Sequence, residues 1–243
     1  MPGTGNNSFT KYRLSIRVFT DGFSLYIYNA SGGLLQQEDY VGHDNENLEK
    51  VLQLHLTKPR IMEYEYDSVE FLAGTPTTYI PLDEFRREEM TALYRMTFST
   101  NETNEADIQY EILKKPEIVV LYRLSEKLKN IILNVYPIAS FRSIQGALLE
   151  KIAEDEGRKH SEGTSCYIRI FQKRLYVFAF TFGELHFACD YPSSTDIDRL
   201  YYILYVWKTL ELDAINDICI LSDATESLIE EIKKYILHVE TCA

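Results

Sequence analysis

The sequence predicts an α/β protein made of two βββαβ-type halves with mixed sheets, and three observations carry that expectation. In Thr164 to Asp223, TSCYIRIFQKRLYVFAFTFGELHFACDYPSSTDIDRLYYILYVWKTLELDAINDICILSD, three alternating apolar runs precede a long apolar-rich stretch and a final short run. The first third of the chain repeats this order. Setting Ile16 on Ile168 also puts Arg17 on Arg169, Val18 on Ile170, Phe19 on Phe171, Leu25 on Val177 and Tyr26 on Phe178 without a gap, as an internal duplication would.

In the first copy the alternation predicts strands over Arg13–Phe19, Phe23–Asn29 and Leu34–Tyr40, a helix over Asn45–Thr57 ending before Pro59, and a strand over Ser68–Ala73. Asp21-Gly22 between two alternating runs is a two-residue hairpin signal. Leu48, Val51, Leu52 and His55 form one apolar stripe for packing on the sheet. Ile61–Asp67 alternates tyrosines with carboxylates, which suits an extended segment whose acidic side faces water and needs no metal to explain it. Beyond it the sequence predicts a strand over Thr77–Leu82, a helix over Glu84–Met96 capped by Asp83, and a polar loop over Ser99–Asp107. Strands over Ile108–Leu113 and Ile118–Leu124 then flank a turn at Lys115-Pro116. Ser125 caps a helix to about Val135, Ala139–Ser143 is a short strand, and Gln145–Glu156 is a further helix. The charged, glycine-flanked stretch Glu154–Gly163 separates a first half at 10–156 from a second at 164–240.

In the second copy strands are expected over Cys166–Phe171, Leu175–Thr181 and Leu185–Asp190, with a helix over Asp196–Leu212 leading to a strand at Ile218–Leu221. A helix over Thr225–Val239, striped by Leu228, Ile229, Ile232, Tyr235 and Ile236, closes the chain. The Asp196–Leu212 helix is apolar almost all round. It either packs on two sides inside the protein or offers Tyr201, Tyr202 and Tyr205 to a partner, where tyrosine is favoured.

The chain has 243 residues, 45% of them hydrophobic, and a formal charge of −12. That field opposes phosphate backbones, and the cationic pairs Arg86-Arg87, Lys114-Lys115 and Lys173-Arg174 are too small to overcome it, so no nucleic-acid partner is expected. The start, MPGTGNNSFTKYR, lacks the apolar run of a secretory signal, and no apolar run approaches the length of a membrane span. A cytoplasmic protein without membrane insertion is the expectation. Cys166, Cys189, Cys219 and Cys242 have no metal-motif spacing and read as reduced structural thiols. No two of His43, His55, His160, His186 and His238 stand at ligand spacing, so no metal site is expected. The central strands carry Arg17 and Arg169 where a two-metal nuclease would need carboxylates. No Gly-x-Ser-x-Gly, Walker or dinucleotide fingerprint occurs.

Two copies of a three-strand meander, helix and strand resemble the ribonuclease-H-like halves of the actin, Hsp70 and hexokinase superfamily. More narrowly, IVVLYRLSEKLKNIILNVYPIASFRSIQGALLEKI, CYIRIFQKRLYVFAF and ICILSDATESLIEEI resemble the pilus-assembly and cell-division branch that includes PilM and FtsA, and an uncharacterised bacterial domain-of-unknown-function family with an actin-like ATPase fold. The resemblance implies nucleotide chemistry at three turns. At the first, Asp21, Gly22 and Ser24 match the residue types, but Phe23 intervenes and a second glycine is missing. At the second, Phe171-Gln172-Lys173-Arg174-Leu175 has no glycine or carboxylate, and only Lys173 and Arg174 are left to meet a phosphate. At the third, Ser222-Asp223-Ala224 stands where a glycine pair would let adenosine lie on the backbone. The expectation is a non-catalytic interaction or scaffold protein with no cofactor and an unidentified protein partner, a homodimer remaining open. The alternative is a nucleotide-binding switch or ATPase with altered phosphate loops.

Overall fold

In this computed structural model the structure describes residues 11–43, 46–99, 104–159, 163–171 and 173–242. The chain divides into two compact units, one formed by Met1–Ile112 with Ile118–Ala147, the other by Leu113–Glu117 with Leu148–Ala243.

The first unit opens with the antiparallel strands β1 (Tyr12–Phe19), β2 (Gly22–Tyr28) and β3 (Leu34–Val41). Alternation sends Leu14, Ile16 and Val18 to one face of β1, while Arg13 and Arg17 lie over the rings of Tyr28 and Tyr26 on the other. Helix α1 (Leu48–Leu56) follows, capped by Asn47, whose side chain accepts from the Lys50 N–H. Pro59 does not simply end it. With its φ already helical, it starts the one-turn helix α2 (Pro59–Met62), so the extended segment expected from Ile61 begins only at Tyr66.

Strand β4 (Tyr66–Gly74) pairs parallel with β1, and β8 (Ala139–Ser143) pairs parallel with β4, giving the mixed order β3-β2-β1-β4-β8. Between them run β5 (Thr77–Pro81), α3 (Met90–Phe98), β6 (Ile108–Leu113), β7 (Ile118–Arg123) and α4 (Glu126–Val135). The helix expected from Glu84 starts instead with a 3-10 turn at Arg87–Glu89. Of the polar loop expected over Ser99–Asp107, positions 100–103 lie outside the described residues and Glu105–Asp107 form another 3-10 turn. Strands β5, β7 and β6 make a separate sheet over a small core of Tyr94, Ile108, Val119 and Leu121. The main core of the unit joins β1, β2 and β4 to Leu52, Leu56 and Ile132 of the two helices. Helix α5 (Ile144–Lys159) runs on through part of the segment expected to be a linker.

The second unit repeats the pattern with β9 (Thr164–Phe171), β10 (Arg174–Thr181), β11 (Glu184–Pro192), α6 (Asp196–Thr209) and β12 (Ile218–Ser222). β9 and β1 have eight residues each. The sheet order is β11-β10-β9-β12-β13, the last being His238–Cys242, with β12 parallel to β9 as β4 is to β1. The final helix is shorter than its apolar stripe predicts. α7 (Glu226–Ile232) ends early, and His238–Cys242 form β13, parallel to β12, because pairing with that strand satisfies the backbone there. The core packs Ile168, Val177 and Leu221 against Ile203, Val206 and Trp207 of α6 and Leu228 and Ile232 of α7.

Candidate functional site

In open α/β sheets ligands bind beyond the carboxyl ends of the parallel strands, so those ends are the candidate site in each unit. In the first unit they belong to β1, β4 and β8. The turn after β1 does not gather its expected residues around one point. Asp21 is exposed at the tip, its carbonyl accepting from the Gly42 N–H at 2.8 Å. Gly22 lies against β3, and a Cβ there would stand 2.1 Å from the Tyr40 carbonyl oxygen, so this glycine serves strand approach. Phe23 turns into the core, stacked on Tyr40 and edge-on to His55. Ser24 is fully buried on β2 opposite Arg17, and its hydroxyl bonds the Tyr26 phenol. Burial raises the Tyr26 pKa, although Arg17 draws it back.

At the end of β4 stands Gly74, a glycine after the late strand such as a ligand would use for backbone approach. The Phe19 ring covers it: a Cβ on Gly74 would meet the ring carbon Cδ1 at 2.4 Å. At the end of β8 the chain enters α5 directly, and the donors of that helix start meet a carboxylate of the protein. Glu111 on β6 accepts from the Ser143 N–H at 3.1 Å and the Ser143 hydroxyl at 2.6 Å, while Arg142 Nε donates to its other oxygen at 2.8 Å. Ser143 Oγ in turn accepts from the Gly146 N–H. Gln145, 1% exposed, donates to the Thr75 carbonyl, and its Oε1 has no hydrogen-bond partner among the described residues.

In the second unit the turn after β9 includes Gln172, which lies outside the described residues. Lys173 is exposed, with its carbonyl accepting from the Ser193 N–H. Arg174 is committed to Asp190 across the β10–β11 pair, with Nε at 2.6 Å from the carboxylate. At the end of β12, Asp223 takes a left-handed φ of 60° and keeps the turn that glycine would favour. Its carboxylate receives Arg169 Nε at 3.2 Å and the Ser222 hydroxyl at 3.2 Å. Two helix starts of this unit meet each other. Thr195 and Asp198 form a reciprocal capping box on α6, and Asp196 accepts the hydroxyl of Thr225, the α7 cap, at 2.7 Å.

The structure therefore brings Ser222 and Asp223 together with Arg169, but separates the side-chain roles of Asp21, Gly22 and Ser24 and engages Arg174 elsewhere. Phe19, Gly74, Glu111 and Ser143 carry no motif. Their contacts join residues far apart in sequence, and only the coincidence of Gly74 with the end of a predicted strand signals any of them. Among the described residues no group of three or more His, Cys, Asp or Glu is placed to hold a metal ion. Cys166 and Cys219 are buried side by side on β9 and β12, and burial pushes the Cys166 thiol to about 12 and that of Cys219 well up. All four cysteines are free. No helix among the described residues is long and apolar enough to cross a membrane.

Residues 5–239 match the model of a family described as "Protein of unknown function (DUF3822)". Among solved structures, a Bacteroides thetaiotaomicron protein with an actin-like ATPase fold and unknown function is 26% identical, with a TM-score of 0.79 over 99% of this chain and 94% of that one. PilM in the PilM–PilN type IV pilus biogenesis complex aligns over 95% of this chain and 88% of its own, with 7% identity and a TM-score of 0.55, a likeness of fold alone. No curated protein matches the sequence. The two-unit mixed α/β architecture is that of the actin-like ATPase fold.

Proposed function

We propose that this chain, which belongs to the DUF3822 family of proteins of unknown function, is a non-catalytic interaction or scaffold protein that keeps an actin-like frame without a working ATP site. One observation carries the proposal: in each unit, protein side chains occupy the carboxyl ends of the parallel strands. Phe19 lies on Gly74, Glu111 meets the start of α5, and Arg169 bonds Asp223 where adenosine would need bare backbone. A triphosphate needs backbone donors and a metal to offset its charge, and the formal charge of −12 adds repulsion. A scaffold acts through its surface. PilM was solved with PilN, which makes partner binding a natural use for such a frame.

The test is thermal unfolding with and without millimolar MgATP. A ligand at about 100 times its dissociation constant would stabilise the fold by about 2.7 kcal/mol and raise the melting temperature by several degrees. No shift is expected. A clear shift lost in Asp21→Ala, or in Lys173→Ala combined with Arg174→Ala, would replace the scaffold with a nucleotide-responsive switch.

A further inference from the structure

At the amino end of β1 the first unit carries a cavity of about 430 Å³, with Lys11, Arg13, Asn29, Ser31, Asp67 and Ser68 among its walls. That volume falls within the about 300–1,000 Å³ of sites that hold a small molecule. Strand pairing builds it. Arg13 on β1 stands opposite Tyr28, the last residue of β2, and opposite Ser68 on β4, so the turn from β2 into β3 forms one wall and the start of β4 the other. Phe19 closes β1 at its other end, about 20 Å from Arg13 at about 3.3 Å per residue, so this cavity is separate from the carboxyl ends of the strands.

Donors predominate on the walls. The Arg13 guanidinium lies over the Tyr28 ring, 4.9 Å from its centroid, and among the described residues no carboxylate pairs with it. Asn29 is oriented by its own turn: Oδ1 accepts from the Ser31 N–H at 3.1 Å, the Ser31 hydroxyl at 2.7 Å and the Gly33 N–H at 2.8 Å. Three donors on one oxygen fix which arm of the amide is nitrogen, and among the described residues that Nδ2 bonds nothing. The only acid among the lining residues, Asp67, is already met by Lys11 Nζ at 3.2 Å. Two cations against one carboxylate leave the cavity locally positive in a chain of formal charge −12.

We propose that this cavity binds a small molecule through an oxyanion group, a carboxylate or a phosphate, which accepts from the Arg13 guanidinium and from Asn29 Nδ2. Lys11, two residues before Arg13 and therefore on the same side of the strand, adds its charge. Stacking on Tyr28 uses the face of the guanidinium and leaves its N–H edge for the anion. Both donors are held before a ligand arrives, Arg13 by the ring beneath it and Asn29 by the turn, so binding has little left to order.

The proposal goes beyond the scaffold reading, and its test uses the full chain with two probes. Sodium succinate and inorganic phosphate are each titrated against sodium chloride at matched ionic strength. Proton–nitrogen correlation spectra of the wild type need no variant to fold. They are expected to show a saturable shift of the Asn29 side-chain amide and of the Ser31 and Gly32 backbone amides with at least one of the oxyanions, and none with chloride. A response to succinate alone points to a carboxylate ligand and a response to phosphate alone to a phosphate; either supports the proposal. Asn29→Asp keeps the oxygen on which the turn closes and puts a second oxygen where Nδ2 stood, so it should weaken binding about tenfold or more. Arg13→Met, which keeps an apolar cover on Tyr28, should do the same, while Asp67→Asn should strengthen binding. Spectra that show no saturable shift with either oxyanion, or binding that Asn29→Asp and Arg13→Met both leave unchanged, would overturn the proposal. Neither result bears on MgATP at Asp21, Lys173 and Arg174. A MgATP shift that vanishes in Asn29→Asp but survives Asp21→Ala would place the phosphate in this cavity and leave the reading of the strand ends standing.

Discussion

At the end of β4 a ring lies against a glycine. Gly74 has no room for a methyl group while Phe19 is in place, and Phe19, 7% exposed, has little freedom to leave. Gly74→Ala is expected to cost about 1–3 kcal/mol by overpacking, and Phe19→Ala about 3–5 kcal/mol by leaving a cavity. In the double variant the new methyl enters the space the ring vacated, so the combined loss should fall short of the sum by 1 kcal/mol or more, about what contacting residues give in such cycles. Additive losses, measured by denaturant unfolding, would mean the ring is not what excludes a side chain at Gly74. The residue types of the first turn were legible in sequence, but their uses were not. Gly22 is explained by a carbonyl on β3 and Ser24 by a phenol two residues on in the same strand. Arg169 stands at a strand centre and Asp223 at a turn that would suit glycine, yet nothing in their spacing announces that they bond.

Helix starts show how much a single hydroxyl can join. Thr225 accepts from the Leu228 N–H as the cap of α7 and donates to Asp196 at the start of α6. Thr225→Ala removes both bonds and is expected to cost about 1–2 kcal/mol, while Thr225→Ser, which keeps the hydroxyl, should restore most of it. The Thr225 hydroxyl, followed by Arg199, holds the Asp196 carboxyl below its ordinary 3.8. The bond's contribution is therefore present above that value and lost as pH falls through the lower folded value, so the gap between wild type and Thr225→Ala should narrow in strong acid to what the Leu228 cap bond alone contributes. A serine variant as weak as alanine would place the effect in the lost methyl group. Elements this local were readable: Ser125 caps α4 as expected, and the bounds of β8 agree with Ala139–Ser143. The errors fall where tertiary pairing decides. The apolar stripe from Leu228 to Ile236 continues past the end of α7, but β12 has an open side, and residues from His238 pair with it instead. Nothing within Thr225–Val239 records that a strand edge elsewhere needs a partner.

At the scale of the molecule, each compact unit has a main core of its own. Leu14, Ile16, Phe71, Leu52 and Ile132 fill one, and Ile168, Val177, Leu221, Val206 and Ile232 fill the other. The repeat of sheet order was legible because alternation and turns are local, whereas the division at Ala147 and Leu148 was not, since α5 carries an unbroken helical pattern across it. Two cores imply two seats of stability. Ile168, 2% exposed on the central strand β9, packs between strands on both sides, and Ile168→Ala should cost about 2–5 kcal/mol. That loss belongs to the second core, so native-state hydrogen exchange should speed up in β9, β10 and β12 while the protected amides of β1, β2 and β4 keep their wild-type rates. Leu14→Ala should give the reverse pattern. If either substitution accelerates exchange equally in all six strands, the units unfold as one cooperative body and the two cores are not independent.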